Sequence, residues 1–215
     1  MPSRGIKISM PNAGEWGRVI VFGLITAVLA LGFSFVGFRK TDQGFSFIRL
    51  PEYSSRVQLL VIQPPSELTD TYTAIRATEQ LSKNLAEVIG TTSFFDRVMK
   101  SGSIDKKYFS SDDYDRRKEW RRMVGTEVAM GSGILSVSVF HPDKSQAALI
   151  SGLISQVLVS DGYNYLGSNV TIQEIDAPLT SRLPVRPNLV VNCLTGLILG
   201  GLLGLLYVFW QKRPR

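Results

Sequence analysis

Hydrophobic and polar positions divide this chain into two uncharged blocks with a patterned region between them. Residues 19–38 (VIVFGLITAVLALGFSFVGF) and 189–210 (LVVNCLTGLILGGLLGLLYVFW) contain no Asp, Glu, Lys or Arg. At 1.5 Å of rise per residue, an α-helix of about 20 residues covers roughly 30 Å, the thickness of a hydrocarbon core. Both blocks are predicted to span a membrane. The first is too long for the apolar core of a cleavable signal peptide, and no small-residue cleavage site follows it, so it reads as a retained anchor.

Between the blocks the period changes several times. Residues 56–62 (RVQLLVI) form a strand-like run stopped by Pro64 and Pro65. From Ser66 onward Leu68, Tyr72, Ile75, Leu81, Leu85, Val88 and Ile89 recur at helical spacing, with Gly90 as the stop, and residues 91–99 continue as a short helix. Leu135, Val137 and Val139 alternate with Ser136 and Ser138, which is the period of a strand with one buried face. After the turn at Pro142 and Asp143, the positions Ala147, Ile150, Leu153, Ile154, Val157 and Leu158 predict an amphipathic helix N-capped by Asp143 and ending at Gly162. A last strand is predicted over residues 169–175 (NVTIQEI). The order strand, helix, irregular helical insert, strand, helix, strand predicts an α+β domain, a small sheet with helices packed on one face, flanked by two transmembrane helices.

The approach to the second block is punctuated by Pro178, Pro184 and Pro187. Each removes a backbone donor and fixes φ, so residues 177–188 are expected to form a stiff, extended collar, with Asn188 capping the helix that follows. Inside that helix Gly196, Gly200 and Gly204 recur every fourth residue and share one face. Small residues in that register let a partner helix approach closely.

The organisation expected is a tail at 1–17, a span at 18–38, a domain at 39–188 ending in the collar, a span at 189–210 and a tail at 211–215. The C-terminal tail carries Lys212, Arg213 and Arg215 without an acid, and the N-terminal tail is also basic. The bias of Lys and Arg toward the cytoplasm therefore predicts cytoplasmic termini and an extracytoplasmic domain, although Arg39 and Lys40 on the other side oppose it. The net charge of +6 invites a nucleic-acid reading, but a membrane protein with basic tails gives a similar charge, so the sign alone decides little. One cysteine, Cys193, and one histidine, His141, are too few for a disulfide framework, a thiolate metal site or a Ser-His-Asp triad. No cofactor is expected.

One charged stretch has two readings. Arg116, Arg117, Lys118, Arg121 and Arg122 follow Asp112, Asp113 and Asp115. Arg116, Arg117 and Arg121 could present an electropositive surface to an anionic glycan or to lipid headgroups. Alternatively, Asp112 with Arg116 and Asp113 with Arg117 stand four apart, the spacing of ion pairs along a solvated helix.

The whole layout resembles the Wzz-type polysaccharide co-polymerases, the chain-length determinant family of bacterial envelope glycan assembly. The resemblance rests on the N-terminal span, the opening LLVIQPPSELTDTYTAIRATEQLSKNLAEVIG, the segment ILSVSVFHPDKSQAALISGLISQVL, and the ending IDAPLTSRLPVRPN joined to a glycine-rich span. The family's mark is the spaced-proline ending, here Pro178, Pro184, Pro187 and Asn188. Residues 101–133 match no motif of that family. There is little room for the long helical arm of its larger members, and the 215 residues hold no Walker motif or tyrosine-rich tail. The chain is most similar to short adaptor-like members that work with a separately encoded tyrosine autokinase.

The resemblance implies a non-enzymatic protein of the bacterial plasma membrane that regulates chain length, polymerisation or export of a surface glycan such as O-antigen, capsule or exopolysaccharide. It implies a ring-like homo-oligomer beside a glycan polymerase and its growing lipid-linked polysaccharide. In an adaptor, the tail residues Lys212, Arg213 and Arg215 would touch the kinase; a basic tail serves equally to set topology and bind anionic lipid. The reading from another class is a membrane-anchored envelope sensor or structural module that binds a protein partner. No spacing of carboxylates such as Asp112, Asp113 and Asp176 orients a pair for acid–base work.

Overall fold

The computed structural model describes residues 12–41, 44–63, 71–102, 104–167 and 170–211. The elements in chain order are α1 (Ala13–Ser34), β1 (Val36–Thr41), β2 (Gly44–Ile48), β3 (Tyr53–Ile62), α2 (Thr71–Ile89), α3 (Thr92–Ser101), α4 (Asp113–Met123), β4 (Val124–Val128), β5 (Ile134–His141), α5 (Lys144–Asp161), α6 (Tyr163–Leu166), β6 (Thr171–Thr180) and α7 (Leu189–Gln211). They fall into two compact units, one built on α1 and α7 and the other running from Leu50 to Arg186 together with residues 39–46. Pro64, Pro65, Ser66, Leu68 and Asn169, and the tail residues Lys212, Arg213 and Arg215, lie outside the described residues.

In the first unit, α1 and α7 are both long and apolar enough to cross a membrane. The first helix is shifted from the expected 18–38. It starts earlier because Asn12 precedes it as N-cap residue, with its backbone N–H donating to the Glu15 carboxylate at 2.6 Å. It stops at Ser34 because the chain turns into β1 there, and the Phe35 carbonyl accepts from the Arg49 N–H at 2.8 Å instead of continuing the helix. β1 and β2 form a separate two-stranded sheet that the sequence did not announce.

The second unit is built on an antiparallel sheet of order β4-β5-β3-β6. Pairing sets Val57 opposite Val137 and Leu59 opposite Leu135, so the apolar positions of the two central strands share one face. Those side chains are buried, and one cluster joins them to Leu85 and Ile89 of α2, Phe94 and Val98 of α3, Trp120 of α4, and Ile150, Ile154 and Leu158 of α5. The opposite face is polar, with Arg56 Nε donating to Ser138 Oγ at 3.2 Å and Gln58 Nε2 to Ser136 Oγ at 3.4 Å. Burying a Leu, Ile or Val side chain stabilises by roughly 1.5–3 kcal/mol, so this one-sided core is the main source of order in the unit.

Two features depart from the sequence pattern. β4 (VGTEV) has no clean alternation and reads as part of the polar insert, yet it pairs with β5 from Val124 opposite Val139 to Val128 opposite Leu135. The turn between them uses Gly131 at φ +68°, the left-handed region that glycine enters without a Cβ clash. β6 continues to Thr180, through Pro178, so the first part of the collar is sheet. This is tolerated because β6 is an edge strand and its register on β3 shifts between Gln58 opposite Asp176 and Arg56 opposite Leu179, the stretch that contains Pro178.

Candidate functional site

Gly196, Gly200 and Gly204 of α7 are buried, and α1 packs against each of them. A Cβ added at Gly196 would stand 2.8 Å from Ala27 Cα, one at Gly200 would stand 2.8 Å from Gly23 Cα and collide with the Thr26 hydroxyl, and one at Gly204 would stand 2.9 Å from Val19 Cα. Val19, Gly23 and Ala27 are the buried residues of α1, themselves spaced by four. The partner helix that the glycine register calls for is therefore the chain's own first helix. Polar contacts pin the pair along its length: Arg18 Nη1 donates to Gln211 Oε1 at 2.8 Å, Thr26 Oγ1 to the Gly196 carbonyl at 2.7 Å, and Asn192 Nδ2 to Ser34 Oγ at 2.7 Å. The Asn188 side chain accepts from the Val191 N–H at 3.2 Å and so caps α7.

In the domain, the collar is fastened at Glu52. The Glu52 N–H donates to the Arg186 carbonyl at 2.9 Å, and the Val185 N–H donates to the Glu52 carbonyl at 2.8 Å. The buried Glu52 carboxylate lies 3.6 Å from Arg122 and 3.8 Å from Arg186. The Arg186 guanidinium stacks 3.3 Å from the Phe140 ring centroid and also donates to the Arg122 carbonyl at 3.0 Å. Farther up the collar, the Ser181 N–H donates to the Ser54 carbonyl at 2.8 Å, and Lys144 Nζ donates to the Arg182 carbonyl at 2.7 Å while lying over the Tyr53 ring. Residues 180–186 thus lie along the start of β3. Pro184 stands inside this strapped segment, Pro178 in the strand before it and Pro187 just after it.

Two exposed arginines of α4, Arg117 and Arg121, hydrogen-bond back to the α2–α3 junction. Arg117 Nε donates to Thr92 Oγ1 at 2.8 Å, and Arg121 Nε donates to the Gly90 carbonyl at 3.2 Å. Arg116 pairs with Asp113, three residues away, and its guanidinium stacks over Phe95 at 5.5 Å. The four-residue pairs expected from the sequence are replaced, since Asp112 sits outside the helix as its N-cap and accepts from Tyr114 and Asp115 N–H at 3.1 Å. Between the arginines, the buried Trp120 donates its indole N–H to the Ile89 carbonyl at 2.7 Å. α4 therefore clasps the junction of α2 and α3, whose last carbonyls need partners outside their own helix.

His141 is buried, 4.3 Å from Tyr108 between ring centroids, and its Nδ1 accepts from the Asp143 N–H at 2.9 Å. Asp143 caps α5, and hydrogen bonds from the Ser145 hydroxyl and N–H hold its carboxyl below the usual aspartate range. The Glu79 carboxyl is lowered by the Lys83 ammonium and by the Gly131 N–H. Among the described residues no three His, Cys, Asp or Glu side chains gather as a metal site would need. Sequence reasoning missed Gly23 and Ala27, for which the four-residue spacing was the available signal. It also missed Glu52 and Trp120, which show no local pattern.

The chain matches no protein-family model and no curated protein.

Proposed function

We propose that this chain is a non-enzymatic polysaccharide co-polymerase of the Wzz type, anchored in a bacterial plasma membrane with both termini cytoplasmic and its α+β domain outside. It regulates chain length, polymerisation or export of a surface glycan. The observation that carries the reading is the spaced-proline segment itself: it leaves the edge strand β6, is strapped to β3 through Glu52, and runs into a glycine-lined helix that packs on the first one. A regulator that works by shape requires its glycan-facing domain to be joined to its anchor by a stiff connection, and prolines with fixed φ supply that stiffness.

In this reading, copies assemble into a ring beside the polymerase, and many weak contacts sum along the growing lipid-linked polysaccharide. The contacts between copies come from surfaces other than the α7 glycine face, because α1 of the same chain fills that face. The tail residues Lys212, Arg213 and Arg215 meet either anionic lipid or a separate tyrosine autokinase, whose active population they would bias.

The test is the size distribution of surface or secreted polysaccharide on a gel, from cells with and without the gene and from cells carrying Pro184→Ala with Pro187→Ala. A lost or redistributed band pattern in both supports the reading and ties the collar to it. An unchanged pattern in the deletion strain, with no second gene of the same kind, sinks it in favour of a membrane-anchored envelope sensor or structural module that binds a protein.

A further inference from the structure

We infer that the end of the domain where Glu52 meets Arg186 carries a lipid-docking surface, made of Leu50, Leu183 and Val185 with Arg182, that seats in the interface of an anionic bilayer. Leu183 is 75% exposed and Leu50 58% exposed, unusual values for leucines in a segment that is hydrogen-bonded in place. Their backbone neighbours are fixed: Arg182 by Lys144, and Val185 and Arg186 by Glu52. The apolar side chains are thus presented outward by a strapped loop, with Val185 also exposed beside them.

Chain length favours a bilayer as the occupant. Leu183 and Val185 precede Leu189, the first residue of α7, by six and four positions, so even a fully extended chain keeps them within about 22 and 14 Å of it. If α7 enters the bilayer at Leu189, that places both leucine and valine within reach of the headgroup layer, about 5–10 Å deep in its apolar boundary when an apolar face inserts. Charge agrees. Residues 181–188 (SRLPVRPN) hold Arg182 and Arg186 and no acid, and the nearby Glu52 carboxylate is already faced by Arg122 and Arg186. Leucine and valine beside arginine is the composition that buries apolar groups at the acyl boundary while guanidinium groups stay with anionic phosphates.

The inference rests on α1 and α7 spanning a membrane, and its test separates the two. The full chain, with Cys193→Ala, is reconstituted in vesicles of phosphatidylcholine with phosphatidylglycerol, and a pyrene maleimide is placed at Leu183→Cys, Met130→Cys or Leu202→Cys in turn. Met130 is 92% exposed in the β4–β5 turn, at the other end of β5 from the His141–Tyr53 pairing, and Leu202 lies midway along α7. Nitroxide lipids labelled shallow or deep serve as quenchers. The expected result is shallow quenching at 183 several-fold stronger than at 130, deep quenching at 202, and about a fivefold loss of the anionic-lipid preference at 183 on Arg182→Ser. Equal, weak quenching at 183 and 130 with deep quenching at 202 overturns this inference alone. Pyrene excimer emission at 183 also overturns it, because the surface is then covered by a second copy. Absence of quenching at 202 removes the spans and the inference together.

Discussion

Thr26 of α1 donates its hydroxyl to the Gly196 carbonyl of α7 at 2.7 Å, the shortest of the three carbonyl distances around that oxygen. The contact exists because glycine at 196 and 200 leaves the α7 backbone bare, so a side chain of one helix reaches the main chain of the other. Two helices that could each be a plain membrane anchor are thereby joined into one unit, with Arg18–Gln211 and Asn192–Ser34 as further ties.

The seam separates two adjacent glycines. A Cβ at Gly200 collides with the Thr26 hydroxyl and stands 2.7 Å from the Phe22 carbonyl, whereas a Cβ at Gly201 meets nothing within 4 Å. Gly200→Ala is therefore expected to destabilise the helix pair by about 1–3 kcal/mol, the usual cost of overpacking, and Gly201→Ala to leave it unchanged. Thr26→Val, which removes only the hydrogen bond, should cost about 0.6 kcal/mol. Denaturant-titrated unfolding of the purified full chain in detergent orders the three. Equal effects at 200 and 201 would mean that the helices do not pack on this face.

Glu52 holds the collar through both its backbone and its carboxylate, and only the second can be removed by substitution. Glu52→Gln keeps the backbone bridge to Arg186 but removes the charge that faces Arg122 and Arg186, at an expected cost of roughly 1–3 kcal/mol. The collar should then open more often, and trypsin should cut after Arg182 faster than in the parent chain while cleavage elsewhere in the domain keeps its rate. Unchanged cutting at that site would show that the backbone bonds alone hold the strap.

Trp120 ties α4 to the end of α2. Trp120→Phe keeps most of the aromatic packing against Phe95, 5.2 Å away, but leaves the Ile89 carbonyl without its indole donor. Losing a partner in a buried site costs about 1–3 kcal/mol, so a lowered thermal midpoint is expected. Arg121→Ala, at an exposed guanidinium on the next carbonyl, should shift the midpoint far less.

Acid should weaken the domain through two carboxylates, the partly buried Glu79 and the exposed Asp143. Lys83 and Gly131 lower Glu79, and Ser145 lowers Asp143, so in each the folded chain favours the ionised form more than the unfolded chain does. Their contribution is complete above the ordinary carboxylate range of about 3.9–4.3. It declines as pH falls below that range, because the unfolded chain then takes up protons first, and it vanishes once the folded groups are also protonated. Thermal midpoints measured from neutral pH down to about pH 3 should fall less steeply at the acid end for Glu79→Gln with Asp143→Asn, a pair that leaves a competent N-cap at 143. An acid limb identical to the parent's would assign the loss to other groups.

Local patterns reveal the elements whose periodicity is their own. Both long apolar helices follow from an absence of charge, β3 from a short apolar run, β5 from alternation, α5 from positions three and four apart, and the α7 glycine face from their spacing. The end of α1 did not follow, because Phe35 leaves the helix to receive the Arg49 N–H, a residue not adjacent to it in sequence. Nor did β4, which is a strand only by virtue of lying against β5.

The sequence by itself determined that two helices of membrane length flank an α+β domain, that a proline-spaced segment joins that domain to the second helix, and that one face of this helix is bare backbone. Only the tertiary structure decided what meets those surfaces: α1 fills the glycine face, Glu52 receives the collar, and Arg117, Trp120 and Arg121 hydrogen-bond to the α2–α3 junction. The physical reason is that periodicity reports which side of an element avoids water, a property of neighbours in sequence. The choice of partner depends on shape and on unpaired polar groups far along the chain, which only folding brings into contact.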